Sequence, residues 1–433
     1  MTEWIGDIFR SDVGWNHLET LVDIRDRMAG TEGEREGAEA TLEVLDEYAR
    51  DAHLDEFDLQ GWERGSAAVE TPARDEHAIA LPRSPADSVS GRFVDLGYGL
   101  PSDFEDADIE GAIVMVSTDI PDWFDRFIHR REKYYYAVQE GAAGFVFKNH
   151  YEGCLPPTGS VGNEDSPIGD IPAVGVSKEV GARLARQFEG ETLGIDVEAD
   201  IYDTTSQNVH AVLGPDTDEE LLVTSHVDAH DIAEGAMDNG AGTAMVVELA
   251  KTLAAREDEL DTKVRFIVYG AEEVGLVGSA YDAEKRDPES VKAVLNFDGV
   301  VRARTLSYYT HGFDALENAA TEIADDFDHP VHTTPEQGPH SDHWPYVVQG
   351  VPGYHVTTKS DDAGRGWGHT EADTLDKIER RTFREQAILL TELARHLASN
   401  KFGVAHASPD DIAAALEDED KAKGMKVIGD WPF

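Results

Sequence analysis

Six residues in the second half of the chain have the types and order that metal chemistry needs: His226, Asp238, Glu272, Glu273, Asp298 and His369. Imidazole and carboxylate together suit zinc. Two divalent ions about 3.5–4 Å apart require one carboxylate that bridges them. His226, Asp238, Glu273, Asp298 and His369 satisfy that count, giving each metal one imidazole, one private carboxylate and a share in the bridge. The space left between the ions suits a water whose pKa the metals lower toward ~7. Glu272 neighbours Glu273 but leaves the backbone in another direction, so it can face that water as general base. Asp228, two residues after His226, can accept the second ring N–H and fix the imidazole's tautomer. The chemistry this predicts is metal-assisted hydrolysis of an amide. Taken singly, an Asp or Glu in so acidic a chain reads as a solvated surface group, and a lone His as structural. The joint order is what points to metal.

The elements that must position these donors are legible as periodicities. ELLVTSH, KVRFIVYG, AVLNFDG and VPGYHVTT read as strands, and AGTAMVVELAKTLAA, DALENAATEIADDF and RTFREQAILLTELARHLAS as helices. Strands alternating with helices predict an α/β fold with a mixed, mostly parallel central sheet sandwiched by helices. In such a sheet the active site lies just outside the carboxyl ends of the strands, which is where the donors fall. Upstream, residues 14–28 have helical spacing. Thr31 with Glu34 reads as a capping box opening a helix to about Arg50. HLDEFDLQGW alternates as a strand does. From residue 66 the texture shifts to short β-like pieces among Pro, Gly and Ser, with a helix expected at DRFIHRREKYYYAVQE. The domains expected are a discontinuous catalytic domain (1–65 and 199–402), an inserted α/β module (66–198) and an acidic C-terminal tail (403–433).

Composition narrows the partners. Asp+Glu number 87 against Lys+Arg 37, a formal charge of −50. That charge repels phosphate backbones and anionic lipid, so neither nucleic acid nor membrane is an expected partner. The acids are spread along the chain and read as a solvated, halophilic-type surface whose fold needs salt to screen self-repulsion. The single cysteine, Cys154, excludes an intrachain disulfide and is expected to be buried or half-buried. The first residues lack the features of a secretory signal, and no run reaches the ~18 apolar residues of a membrane span, so a soluble cytoplasmic protein is expected.

These motifs resemble the co-catalytic di-zinc aminopeptidase family, which includes bacterial leucine aminopeptidases, glutamate carboxypeptidase II and the transferrin receptor. HVDAH resembles its H-x-D, and the DNGAG segment at Asp238 its bridging-aspartate motif. GAEEVGLVGSAYD resembles its E-E-x-G stretch, NFDG its N-x-D strand end, SDHWPYVVQGVPGYHV its S-D-H segment, and HTEADTLDKI its closing motif. The resemblance implies the zinc-exopeptidase (phosphorylase/hydrolase-like) fold. It also implies two Zn2+ per chain, other divalent metals being acceptable: one held by His226, Asp238 and Asp298, the other by Asp238, Glu273 and His369. Glu272 would carry the proton from the bridging hydroxide to the leaving amine, and Asp228 would orient His226. IEGAIVMVSTD, EGAAGFVFKN and IPAVGVSKEVGARL together resemble a protease-associated domain. Peptides are the implied substrates, and a homo-oligomer is compatible.

Alternatives remain at this point. A di-zinc carboxypeptidase, dipeptidase or deacylase would use a similar site, although the insertion ahead of His226 favours the aminopeptidase. A single-zinc cyclase or a receptor module that lost the chemistry would lack part of the ligand set. Where some members place a tyrosine before the last histidine, this chain has Gly368, leaving His343 and Tyr346 as oxyanion candidates. Arg302 and Arg304 could meet a substrate carboxylate or serve ion pairs.

Overall fold

In the computed structural model, which describes residues 3–359 and 367–433, the chain divides into two compact units. The first comprises residues 1–59, 205–368 and 373–415; the second comprises 60–204, 369–372 and 416–433.

The core of the first unit is a sheet whose order is Val331–Thr334, Thr305–Tyr309, Gly353–Lys359, Val291–Phe297, Glu220–His226, Lys263–Tyr269 and then the far half of Thr192–Leu213. Glu220–His226 runs parallel to both of its neighbours, and Val291–Phe297 is parallel to Gly353–Lys359. Only the joins of Thr305–Tyr309 to Gly353–Lys359 and of Lys263–Tyr269 to Thr192–Leu213 are antiparallel. The expected mixed, mostly parallel sheet is therefore present, flanked by helices. Leu222, Ile267 and Val294 pack on one face with Ala283 and Tyr346. The helix Ala241–Ala254 lies against the strands too and is buried almost all round. Each Leu or Val it buries is worth roughly 1.5–3 kcal/mol, and cutting Leu249, fully buried, to Ala is expected to cost ~2–5 kcal/mol.

Strand register decides where the donors fall. His226 pairs with Tyr269, and Thr224 with Asn296. Neighbouring strands lie about 4.8 Å apart, so the residues just past these ends, Glu272 and Asp298, emerge beside His226.

The second unit holds the strands Asp87–Asp95, Ile113–Ser117, Gly144–Lys148 and Ala173–Val176, successive neighbours being parallel. Phe93, Ile113, Met115, Val146 and Val174 fill one side, and Val114, Val116, Phe145 and Tyr134 the other.

Several expectations need correction. HLDEFDLQGW and the β-like piece after it form one strand, Arg50–Glu70, so the unit boundary falls inside a continuous strand rather than at a break at residue 66. The helix expected from residue 125 begins at Arg130, with the His129 side chain accepting the Arg131 N–H. The last residues do not form a free tail. Lys421–Ile428 is a helix whose Ile428 joins the second unit's core, and Asp430 takes a two-pronged pair from Arg131 at 2.6 and 2.9 Å. Cys154 is exposed rather than buried. It sits at a loop bend with φ +59, where the Glu179 carboxylate accepts the Gly153 and Cys154 N–H groups.

Candidate metal centre

His226 ends the central strand with its side chain 1 % exposed. Its Nδ1 is 3.1 Å from the Asp228 carbonyl and 3.4 Å from the Asp228 carboxylate. That leaves Nε2 pointing the other way, 3.5 Å from Asp238 Oδ1 and 4.0 Å from Glu272 Oε2. Nε2 is buried and has no hydrogen-bond partner. A lone-pair nitrogen turned toward carboxylates, with its other nitrogen anchored, is the arrangement a cation completes. The donor chemistry therefore fits a metal. Without one, burial works against charge on His226, but Glu272, Asp228 and Asp238 outweigh it and hold the imidazole well above its ordinary pKa.

Donor atoms gather in two groups. His226, Glu272 and Asp298 lie with their ligand atoms within 4.8 Å of one another, as do His230, Glu273 and His369. Asp238 belongs to neither group and stands 3.5 Å from His226, while Glu272, expected as the base, sits with His226 and Asp298. His230 is an addition that sequence reasoning missed. Its Nε2 lies 2.9 Å from Glu273 Oε2 and it is 5 % exposed. Its signal lies in HVDAH, where a second histidine follows the first by four residues.

The groups behind the donors explain the motifs. Asp228 is fully buried. Its two carboxylate oxygens accept the Glu272 N–H at 3.1 Å and the Glu273 N–H at 3.0 Å. It therefore orients the acidic pair as well as His226. The preceding residue, Ala271, is held in the left-handed region (φ +58), and its N–H donates to Glu34 at 2.9 Å. Glu34 also accepts from Ser206 Oγ and from the Gly30 N–H. Thr31 caps the helix as expected, its hydroxyl accepting the Glu34 N–H. The Glu34 carboxylate, however, does not close a capping box. It fastens the turn before Glu272, and three successive N–H groups thus end on two buried carboxylates.

Asp298 is set by a chain of buried polar groups. Thr224 Oγ1 donates to Asn296 Oδ1, Asn296 Nδ2 to Ser341 Oγ, and Ser341 Oγ to Asp298 Oδ2, at 2.7, 2.8 and 2.7 Å. The N-x-D and S-D-H motifs each supply one link. Asp373, the last acid of HTEAD, accepts the Met237 and Asp238 N–H groups at 2.7 and 3.1 Å. Asp238 and Asn239 are joined by a cis peptide bond. Asn239 donates to the Phe297 carbonyl and accepts the Gly242 N–H. A Cβ at Gly242 would collide with both of those groups, so only glycine lets the helix start this close to the strand end. Arg27, buried, ties the segment together through the Val227, Glu234 and Gly235 carbonyls.

Burial first, then the neighbouring Glu273, Asp298 and Asp342 carboxylates, drive the Glu272 pKa well up against the pull of His226. Asp342 is pushed up to about 8 by burial and by Asp228 and Asp298. The oxyanion candidates do not reach this centre. Tyr346 donates to Asp282 and lies 2.7 Å from the Tyr269 hydroxyl inside the core. His343 is sandwiched between His311 and His355, with ring centroids 4.7 and 5.2 Å away. Arg304 pairs with Glu385 at 2.8 Å.

Comparison with known proteins agrees with this geometry. Residues 208–394 match peptidase family M28, and residues 88–184 match the PA domain. Aminopeptidase YwaD of Bacillus subtilis is 27 % identical over 84 % of this chain and 80 % of its own length. The probable lipoprotein aminopeptidase LpqL of Mycobacterium tuberculosis is 28 % identical over 70 % of this chain, which spans 61 % of that relative. The solved structure of a zinc aminopeptidase from Bacillus subtilis superposes with a TM-score of 0.71 at 24 % identity, over 90 % of this chain and 95 % of that one, a likeness of fold. A sheet of this topology with these donors at its strand ends makes the chain a metallo-exopeptidase. The comparisons support a co-catalytic zinc aminopeptidase with a PA domain ahead of its first candidate ligand.

Proposed function

We propose that the chain removes N-terminal residues from peptides with two zinc ions, one on His226, Asp238 and Asp298 and the other on Asp238, Glu273 and His369, with His230 as a further imidazole beside Glu273. The observation that carries this is the buried His226 Nε2, turned toward Asp238 and Glu272 with nothing donated to it. Bound zinc would activate water and polarise the scissile carbonyl. Glu272 would take the water's proton and hand it to the leaving amine. Asp228 would keep both glutamates and His226 in register, and the surrounding carboxylates would attract the substrate's free ammonium group. A deacylase would need to bind a blocked amino end, for which this acidic surround offers no complement.

Glu272→Gln tests the reading. Zinc content should stay at two per chain while kcat on an aminoacyl anilide falls by roughly 10²–10⁴ or more. Near-normal turnover would remove Glu272 as base, and a single zinc in the parent protein would remove the two-metal assignment. We also propose a cytoplasmic setting. Cys154 is exposed and has no second cysteine to pair with, which a reducing compartment permits; recovery in a secreted fraction would contradict it.

A further inference from the structure

Arg302 stands in the turn that follows Asp298, and it is held there unusually firmly. Gln386 is fully buried and grips the turn from both sides, its Oε1 accepting the Val301 N–H at 2.8 Å and its Nε2 donating to the Ala303 carbonyl at 2.7 Å. The Ala303 N–H donates to Thr358 Oγ1, and Thr358 Oγ1 in turn donates to the Gly299 carbonyl. The backbone on either side of Arg302 is thus fixed by four hydrogen bonds. The guanidinium itself makes no hydrogen bond or ion pair among the described residues, although the side chain is half-buried. Its neighbour Arg304 behaves differently, being exposed and paired with Glu385.

The position of that guanidinium is informative. A Cβ placed on Gly368, the residue before His369, would lie 3.7 Å from Arg302 Nη2, and one on Gly299, the residue after Asp298, would lie 3.4 Å from Nη1. The fork therefore lies within van der Waals reach of two backbone positions adjoining candidate ligands, Gly368 beside His369 and Gly299 beside Asp298. Its charge also reaches Asp373 and His355, and His355 touches the Asp298 carbonyl at 3.2 Å. A half-buried, preorganised guanidinium, unengaged among the described residues and at the rim of an otherwise acidic site, matches a planar carboxylate, which it can hold with two parallel N–H···O bonds.

Resting on the aminopeptidase reading, we infer that Arg302 binds the free C-terminal carboxylate of a dipeptide, making dipeptides the preferred substrates of this site. In a dipeptide one residue, about 3.8 Å of backbone, separates the scissile carbonyl from the terminal carboxylate. A carbonyl centred on the metals thus brings the carboxylate to the rim where Arg302 waits. A longer peptide offers a neutral carbonyl at that position and forfeits the charge-assisted pair.

The test compares leucyl-alanine with leucyl-alanine amide, using zinc-loaded full-length enzyme, with a leucine anilide as reference and zinc content measured on every sample. The parent protein should favour the free acid on the order of ten- to a hundredfold in kcat/KM, mainly through KM. Arg302→Gln should bring that ratio down to about one, and Arg302→Lys, which keeps charge and bulk without the fork, to an intermediate value. No preference in the parent protein, a preference that survives in Arg302→Gln, or an equal loss on acid and amide would each overturn the inference. The last result would place the arginine on the reacting carbonyl instead. Inactivity of the parent protein on the anilide and on both dipeptide forms would sink the aminopeptidase reading itself, a failure distinct from an active enzyme that ignores the terminal charge.

Discussion

Asp228→Asn is the perturbation that most directly probes how the site is built. The native carboxylate is fully buried and has three calls on it: the Glu272 N–H at 3.1 Å, the Glu273 N–H at 3.0 Å and the His226 ring at 3.4 Å. Asparagine keeps one acceptor oxygen and turns an NH2 group toward the second amide. One charge-assisted bond, worth roughly 1.5–3 kcal/mol, is lost, and a buried N–H is left facing a donor at a cost of roughly 1–3 kcal/mol. The total is on the order of 2.5–6 kcal/mol, a large part of the ~5–15 kcal/mol that holds a domain together. If the turn keeps its shape, the whole cost appears in the fold, lowering the midpoint of the metal-free protein by about 5–15 °C. If the turn relaxes, Glu272 and Glu273 move, and zinc affinity falls roughly 10–100-fold. Thermal melts of apo protein and competitive zinc titration against a chelator separate the two routes. A variant that melts within about 1 °C of the parent and binds zinc within about twofold would refute the claim that Asp228 organises the acidic pair.

If the proposed two-zinc site holds, His230→Ala should weaken one zinc by roughly 10–100-fold while the other stays bound; zinc held as tightly as before, by the same titration, would exclude His230 from the set. Burial, and secondarily Arg27, depress His17 to about 4, so the stability it contributes is complete above its unfolded pKa near 6.5 and is lost as pH falls toward 4. The loss is about 3 kcal/mol at its limit, and denaturant midpoints from pH 7 to 4 should flatten in His17→Gln. Removing zinc should cost more stability at pH 8 than at pH 6, because the buried carboxylates then lose their protons without a cation to replace them. An apo-to-holo gap in melting temperature that shrinks over that interval would contradict this. The formal charge of −50 should make the melting temperature rise with KCl from low salt to about 1 M, where the screening length is near 3 Å; a flat response would mean that self-repulsion is not what limits the fold.

The donors were legible because each follows a strand end, and strand ends are among the clearest signals in an alternating α/β chain. Register then did the rest: once His226 pairs with Tyr269 and Thr224 with Asn296, the neighbours converge without further instruction. What sequence did not reveal is tertiary by nature. Glu34 has the spacing of a helix cap, yet its carboxylate is drawn 237 positions along the chain to Ala271, and no local pattern distinguishes the two outcomes. Tyr346 lies in a motif shared with the family, but its hydroxyl is claimed by Asp282 and Tyr269. His230 was visible as a letter and invisible as a donor, because proximity to Glu273 depends on how the loop after the central strand bends. The closing helix fell in a stretch read as acidic tail. Its apolar residues Ala422, Met425 and Ile428 recur at helical spacing and are buried, a pattern that the flanking acids concealed.

The carboxylates around the centre are best understood as a deliberate electrostatic imbalance. Asp342 and Glu34 are both raised to about 8, and Asp373 to about 7, each chiefly by burial and then by another carboxylate. Groups whose folded pKa exceeds the unfolded value stabilise the metal-free protein while they are protonated, and that contribution is lost as pH rises through 7 to 8. Near neutrality the apo site is thus poised where protons are leaving and nothing has replaced them. Positive charge of any kind relieves it, and His226, held well above its ordinary pKa by the same neighbours, is the protein's own partial answer. Divalent cations are a fuller one, because they neutralise several carboxylates at once and do not leave as pH rises. Binding them would displace the imidazolium proton and those held by the raised acids, which would couple metal affinity to pH in the direction that strengthens it above neutrality. The same imbalance bears on Arg302, whose charge reaches Asp373 and His355 without closing on a carboxylate among the described residues. A free arginine pulled fully into the acidic cluster would compete with the metals. Gln386 and Thr358 prevent this by fixing the turn that carries it, so its charge is kept at the rim, where an incoming anion can use it.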